Sequence, residues 1–214
     1  VLKAGKIASE AKKYARTIAK KGTLLLELAE KIESKIIELG GKPAFPVNLS
    51  INDIAAHYTP SHDDKTLAHG LLKIDLGVHV DGWVADTAFS IDLENNEENK
   101  RLILASELAL KAGSKKIKFN VNNNEIGKEI EEAVSSGEIS PIINLSGHGM
   151  EQYELHSGIT IPNVNNHQQL PLKEGLYAIE PFTTNGAGKV YDGRDSGIYE
   201  LVSERNIRSS SARQ

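Results

Sequence analysis

The chain contains no cysteine in its 214 residues. This absence excludes disulfide bonds, thiolate metal sites and a cysteine nucleophile, and it fits a reducing compartment. No apolar run approaches the ~18 residues that suggest a membrane-spanning helix. No charged-then-apolar signal segment precedes the first helical pattern. We therefore expect a cytoplasmic protein with no membrane partner.

Neither sign of charge dominates the composition. Twenty-nine acidic residues oppose 25 basic ones, which leaves a formal net charge of -4. A DNA-binding surface would normally show a basic excess, so we expect no DNA partner. The hydrophobic fraction of 39% is that of an ordinary globular protein, and the length is sufficient for a substantial core.

Two amphipathic helices are predicted at the start of the chain. Apolar residues recur at helical spacing from Val1 to about Lys20. A second apolar stripe follows Thr23, which is predicted to be its N-cap, and ends at Gly40. An extended segment then leads to a predicted β-hairpin.

The hairpin consists of two apolar runs, 71–80 and 83–91, separated by Asp81-Gly82. Asp-Gly between two such runs is a strong hairpin signal. The pattern of helices followed by strands then repeats, with helices predicted at 94–112 and 124–134 and short strands at 142–145, 158–161, 176–179 and 198–202. This order favours an α+β fold of two similar halves, which we interpret as one domain spanning residues 1–214.

Two aspartates interrupt the apolar strands of this hairpin. Pairing about the Asp81-Gly82 turn would place Asp75 and Asp86 nearly opposite each other, about one pairing step apart. Two buried carboxylates so close would repel, and a cation between them would remove the repulsion. The alternative is a structural aspartate at a strand end together with a solvated one.

Histidine and glutamate supply the other candidate ligands. His148 and His156 lie among glycines beside predicted strands, and Glu180 ends an apolar run with no basic residue near it in sequence. A lone histidine near glycine is usually structural. Combined with the aspartates, however, this set of oxygen and imidazole donors suits one or two divalent ions such as Mn, Fe, Co or Zn.

The order of these residues resembles the metal-ligand order of the pita-bread metallopeptidases. Longer motifs resemble the type-2 methionine aminopeptidases in particular: 45–52 (FPVNLSIN), 55–60 (AAHYTP), 144–148 (NLSGH) and 178–182 (AIEPF). This resemblance implies a pita-bread fold, in which two pseudo-symmetric halves surround a curved antiparallel sheet. It also implies the removal of N-terminal methionine from nascent proteins through a water molecule activated by two divalent ions, with a preference for a small second residue.

The resemblance assigns a role to each candidate. Asp86 would bridge both ions, Asp75 would hold the second ion, and His148 and Glu180 would bind the first. His57 and His156 would act as catalytic, substrate-contacting residues. Phe45 would help to form the wall of the methionine pocket.

The pattern departs from the family at its end. The family has a fifth ligand, a late bridging glutamate, and no segment here matches it, because Glu200 and Glu204 lie in the wrong context. We therefore expect the catalytic domain to be incomplete at its C-terminus and a separate C-terminal polypeptide to complete the site. Two rival hypotheses remain: a catalytically weak or silent relative that binds ribosomes or proteins, and a proline dipeptidase of the same fold.

Overall fold

Helices and antiparallel strands alternate along the chain. The computed structural model describes residues 1–134, 138–199 and 201. In chain order the elements are α1 (Leu2–Ile18), α2 (Leu25–Glu38), β1 (Lys42–Ile51), β2 (Leu71–Val80), β3 (Trp83–Asp92), α3 (Glu97–Lys116), α4 (Asn123–Val134), β4 (Ser140–Pro141), β5 (Ser146–Glu151), β6 (Glu154–Pro162), β7 (Leu176–Ala178) and β8 (Thr183–Thr184).

The first half packs two helices on a three-stranded sheet of order β1-β2-β3. Alternate residues of β2 are fully buried beneath α1 and α2, because strand side chains point to opposite faces in turn. The predicted hairpin is confirmed: Val80 pairs with Trp83, and Asp81 and Gly82 both have positive φ, as a type I′ turn requires.

The predicted N-cap of the second helix is wrong. Leu24 occupies the cap position and makes no side-chain hydrogen bond to the helix. The backbone of Thr23 is instead engaged with the 52–70 loop, where its carbonyl accepts a 2.8 Å hydrogen bond from the Ala68 amide. Tertiary pairing therefore outweighs the local preference of threonine for a cap.

The second half repeats the plan with α3 and α4 against a sheet of order β6-β5-β7. Asn96 caps α3 by accepting hydrogen bonds from the amides of Glu98 and Asn99, as its position before the helix predicts. A short two-stranded ladder joins β4 to β8. A smaller apolar cluster, which includes Ile126 and Ile130, forms the core of this half.

Two of the predicted strands differ from the structure. Residues 142–145 form a turn, since the amides of Ile142 and Ile143 bond to the carbonyls of Phe182 and Gly188 rather than to a neighbouring strand; the strand begins at Ser146. Residues 198, 199 and 201 are not in a strand, and the rest of the predicted 198–202 strand lies outside the described residues. Within the described residues, no helix has the length and apolar character to span a membrane.

Candidate functional site

The sheet of the first half carries two carboxylates on the face away from its helices. Asp75 pairs with Ala88, and Asp86 pairs with Gly77. The two aspartates therefore share a face and are offset by two residues along the strands, and the predicted pairing about the Asp81-Gly82 turn is confirmed. Such diagonal neighbours lie roughly 7–8 Å apart, with a gap that long side chains or an ion can bridge.

The sheet of the second half presents an imidazole and a third carboxylate. His148 lies within β5 and pairs with Ala178 of β7, and Glu180 follows two residues later. Gly147 permits this arrangement, because a Cβ atom there would lie 2.2 Å from the Ala178 carbonyl oxygen. The close approach of β5 and β7 places His148 beside Glu180.

Asp86, His148 and Glu180 meet where the two halves face each other. His148 Nε2 lies 2.8 Å from Glu180 Oε1 and 3.5 Å from Asp86 Oδ2. One ligand atom from each residue falls within 4.8 Å of the others. Glu180 Oε1 is buried and makes no aligned hydrogen bond, despite its proximity to the imidazole. The three atoms therefore converge on one point, as the ligands of a common ion would.

The close carboxylates of the cluster shift the pKa values of their neighbours. Burial, reinforced by the charges of Asp86 and Glu180, raises the pKa of Asp75 to about 8. Burial alone would lower the pKa of His148, but the carboxylates of Asp86 and Glu180 outweigh it and raise that pKa to about 10. The cluster therefore retains protons that isolated side chains would release near neutral pH.

These residues fit a divalent cation. Asp75 Oδ1 and Glu180 Oε1 are both buried without a hydrogen-bond partner, which is costly unless another positive charge is nearby. Carboxylate and imidazole donors suit Mn, Fe, Co or Zn. Asp75 lies outside the three-residue group that converges on one point, although its pKa responds to Asp86 and Glu180.

Two further histidines lie at the edge of the cluster. The rings of His156 and His148 meet edge to face, with centroids 4.3 Å apart. The pKa of His156 is lowered by partial burial and by the charges of His148 and His57, despite an opposing effect of the carboxylates. His57 is exposed and has φ +62°, a left-handed conformation. The structure thus brings both histidines to the same side of the cluster.

Phe45 lies across the sheet from Asp86. It pairs with Gly77, which pairs in turn with Asp86, so the three residues form one row across β1, β2 and β3. The Phe45 ring fills the space above Gly77, where a Cβ atom would lie 2.4 Å from Cε1. The sequence interpretation missed Gly77, although a glycine inside an apolar strand indicates close packing at that point.

A cavity of about 490 Å³ reaches the cluster from another side. Asp75, Asp86 and Glu180 line it together with residues of β3, α3 and segment 177–183. Phe45, His57 and His156 are not among the described residues that line the cavity. The three carboxylates therefore line this cavity, whereas Phe45 lies outside its lining.

Comparison with known proteins places this geometry in a family. The model of metallopeptidase family M24 matches residues 1–209. The chain belongs to metallopeptidase family M24. Within the family, a methionine aminopeptidase of Pyrococcus abyssi (strain GE5 / Orsay) is 48% identical over 217 residues, which cover 100% of this chain and 73% of that protein.

Solved structures of the family share the same architecture. The methionine aminopeptidase of Thermotoga maritima matches with a TM-score of 0.82 and 25% identity, covering 92% of this chain and 83% of that one. The prolidase of Pyrococcus furiosus matches with a TM-score of 0.69 and 24% identity over 84% of this chain and 53% of that one, which shows a common fold. The α+β fold class and the resemblance to pita-bread metallopeptidases are thereby confirmed.

Proposed function

We propose that this M24 chain removes N-terminal methionine from newly made proteins in the cytoplasm. The observation that carries the proposal is the convergence of Asp86, His148 and Glu180 from the two halves. It is supported by 48% identity, over the whole chain, to a protein named methionine aminopeptidase. The lack of cysteine is consistent with a reducing compartment.

Two divalent ions are the proposed cofactors, with Asp86 shared between them. His148 and Glu180 would hold the first ion, and Asp75 would hold the second. The buried Asp75 oxygen without a hydrogen-bond partner supports a second ion, because a buried carboxylate needs a positive partner. When bound, the ions supply Lewis acidity and a hydroxide-like water at neutral pH.

The remaining residues bind the peptide and move protons. His156 and His57 are proposed to contact the scissile peptide and the leaving amine, since the His156 ring meets His148 and the charge of His57 acts on His156. The lowered pKa of His156 keeps its imidazole neutral near pH 7, so that it can either accept or donate a hydrogen bond. A carboxylate of the cluster accepts the proton of the attacking water.

Phe45 is proposed to form part of the pocket for the methionine side chain. Its ring lies in the same cross-strand row as Asp86 and offers the apolar surface that a thioether prefers. The proposed preference for a small second residue is the one that the resemblance to the type-2 methionine aminopeptidases implies. The substrates are therefore nascent chains that begin with methionine and a small residue.

A further polypeptide segment is proposed to complete the site. Among the described residues, β3 pairs only with β2, and β7 pairs only with β5. Both strands border the cavity that contains Asp75, Asp86 and Glu180. An added strand would satisfy these two edges and could supply another carboxylate. Glu200 and Glu204, the other acids considered from sequence, lie outside the described residues.

The activity is tested with the purified chain in Co²⁺, Mn²⁺, Fe²⁺ or Zn²⁺, supplied with Met-Ala-Ser. Release of free methionine is expected, at a higher rate when a segment equivalent to the unmatched part of the Pyrococcus abyssi relative is co-expressed. Cleavage of Xaa-Pro dipeptides in place of Met-Ala-Ser would instead indicate a proline dipeptidase. No cleavage and no metal uptake, with or without the segment, would indicate a silent binding protein.

A further inference from the structure

The turns of the β2-β3 and β5-β6 hairpins are hydrogen-bonded to each other, at a distance from the candidate metal site. The amide of Tyr153, in the β5-β6 turn, donates a 2.9 Å hydrogen bond to the carbonyl of Gly82, in the β2-β3 turn. The side-chain amide of Gln152 donates a 2.8 Å bond to the carbonyl of Asp81. These two hydrogen bonds between the turns form a contact that we call the clasp, and it is separate from the contact of His148 with Asp86 in the cluster.

The clasp depends on an unusual conformation. Tyr153 has φ +61°, a left-handed conformation that is costly for a bulky side chain. Its ring lies directly over Gly82, where a Cβ atom would be 2.5 Å from the ring. The same ring meets His79 edge to face, with centroids 6.2 Å apart. An exposed tyrosine held in this conformation indicates that the surrounding contacts compensate for its cost.

The clasp and the metal cluster are equally spaced along the two hairpins. Asp86 follows Gly82 by four residues on β3, and His148 precedes Gln152 by four residues on β5. At about 3.3 Å per residue, each arm is roughly 13 Å long. Among the described residues, no strand ladder joins the two sheets. The clasp therefore joins two arms of four residues each, one leading to Asp86 and the other, which is irregular between His148 and Glu151, leading to His148.

We propose that the clasp of Gln152 and Tyr153 on Asp81 and Gly82 sets the separation of Asp86 from His148 and thereby the affinity of the site for divalent ions. Gln152 and Tyr153 are positioning residues in this arrangement, since they act through the strands and touch no ligand. The inference rests on the proposed metal site. The clasp itself lies outside that site and can be measured without it.

The first test is binding of Mn²⁺ to the metal-free chain by calorimetry. The double variant Gln152→Ala/Tyr153→Asn removes the side-chain amide and the ring, while asparagine tolerates the left-handed backbone. We expect binding roughly tenfold weaker, which is the size of effect known for residues that orient metal ligands. Tyr153→Phe is the matched control, because it keeps the ring and the backbone amide, and it should bind Mn²⁺ as the parent chain does.

The second test measures the separation of the two halves directly, in the absence of metal. Because the chain has no cysteine, Lys31→Cys on α2 and Lys128→Cys on α4 place two unique spin labels on exposed positions. Pulsed electron resonance should give one narrow distance in the parent chain and in Tyr153→Phe, and a broader or shifted distribution in the double variant.

The outcomes separate the two proposals. An unchanged label distance in the double variant, or equal loss of Mn²⁺ affinity in Tyr153→Phe, would overturn the clasp. A parent chain that binds no divalent ion would overturn the proposed function, and the label distances would still decide whether the clasp positions the two sheets.

Discussion

The two halves of the molecule share a plan but differ in regularity. The first half has ten-residue strands in a continuous ladder between β2 and β3, over a large apolar core. The second half has shorter strands with irregular pairing after His148 and a smaller core. The first half contributes the aspartates, and the second half contributes His148, His156 and Glu180.

This difference indicates how the site is built. The aspartates lie on a regular frame whose register follows directly from a two-residue turn. His148 and Glu180 depend on close approaches of backbone that glycine alone permits. We therefore expect the first half to determine the stability of the chain and the second half to determine the geometry of the metal ligands.

The largest expected effect is the loss of activity when one ligand is removed from either half, and it tests whether both halves are essential to the site. Asp86→Ala and His148→Ala should each lower methionine release by roughly a thousandfold, about 4 kcal/mol of transition-state stabilisation, because each removes a proposed ligand. Steady-state kinetics with Met-Ala-Ser and elemental analysis of bound metal measure the loss. Asp63→Ala and His167→Ala, at exposed positions, serve as controls. Retention of metal by Asp86→Ala would contradict the shared role of this carboxylate.

A pair of core substitutions compares the stability of the halves. Leu28 and Ile130 are both fully buried, the first in the large core and the second in the small one. Each change to alanine should lower the free energy of unfolding by about 2–5 kcal/mol, with Leu28→Ala at the upper end, because its densely packed surroundings relax less. Urea denaturation provides the measurement. A larger loss in Ile130→Ala would reverse the proposed order.

Substitutions at two glycines test how well each half tolerates added volume. In Gly77→Ala the new methyl group meets the Phe45 ring, which can rotate; in Gly147→Ala it meets the Ala178 carbonyl, which cannot move alone. Gly147→Ala should lower the free energy of unfolding by about 1–3 kcal/mol and weaken Mn²⁺ binding by separating His148 from Glu180. Gly77→Ala should raise KM and leave Mn²⁺ binding intact. Equal losses of Mn²⁺ affinity in Gly77→Ala and Gly147→Ala, measured by calorimetry, would contradict this difference between the two glycines.

The last expected effect is a pH dependence of the chain in EDTA. The pKa of Asp75 is raised from 3.8 to about 8 in the folded state, so the folded chain keeps a proton that the unfolded chain has released. Stability should therefore fall as pH rises from about 4 to 8, by up to about 1.4 kcal/mol for each pH unit. His148, whose pKa is raised from 6.5 to about 10, extends the loss to higher pH.

Chemical denaturation in EDTA at several pH values measures this slope. Asp75→Asn should flatten it below about pH 6.5, where His148 does not yet contribute, since asparagine does not titrate. Saturating Mn²⁺ should also flatten it, because an ion replaces the retained protons. A slope that persists in Asp75→Asn below pH 6.5 would assign the effect to other groups.

The parts of the site that could be predicted from sequence depend on local rules. The Asp81-Gly82 turn determines the register of β2 and β3, and thus places Asp75 and Asp86 on one face, two residues apart along the strands. Asn96 caps α3 as its position suggests. The long motifs around Phe45, His57, His148 and Glu180 allowed the family to be identified before the fold was known.

The remaining features depend on contacts between distant segments. Residues 142–145 have an apolar composition typical of strands, but their amides bond to segment 182–188, which no local pattern reveals. Thr23 loses its predicted capping role to a pairing with Ala68 for the same reason. The clasp of Tyr153 on Gly82 requires two turns to meet, and neither turn alone predicts it.

The ligands of the cluster come from widely separated points of the chain. During synthesis the ribosome releases Asp86 some ninety residues before Glu180, a delay of roughly 5–20 s at ordinary elongation rates. The first half can fold during that interval, with its carboxylates arranged but without imidazole partners. Loading of the proposed site would therefore be a late event in the biogenesis of the protein, and cations in the cell would meet a polypeptide that is already half assembled.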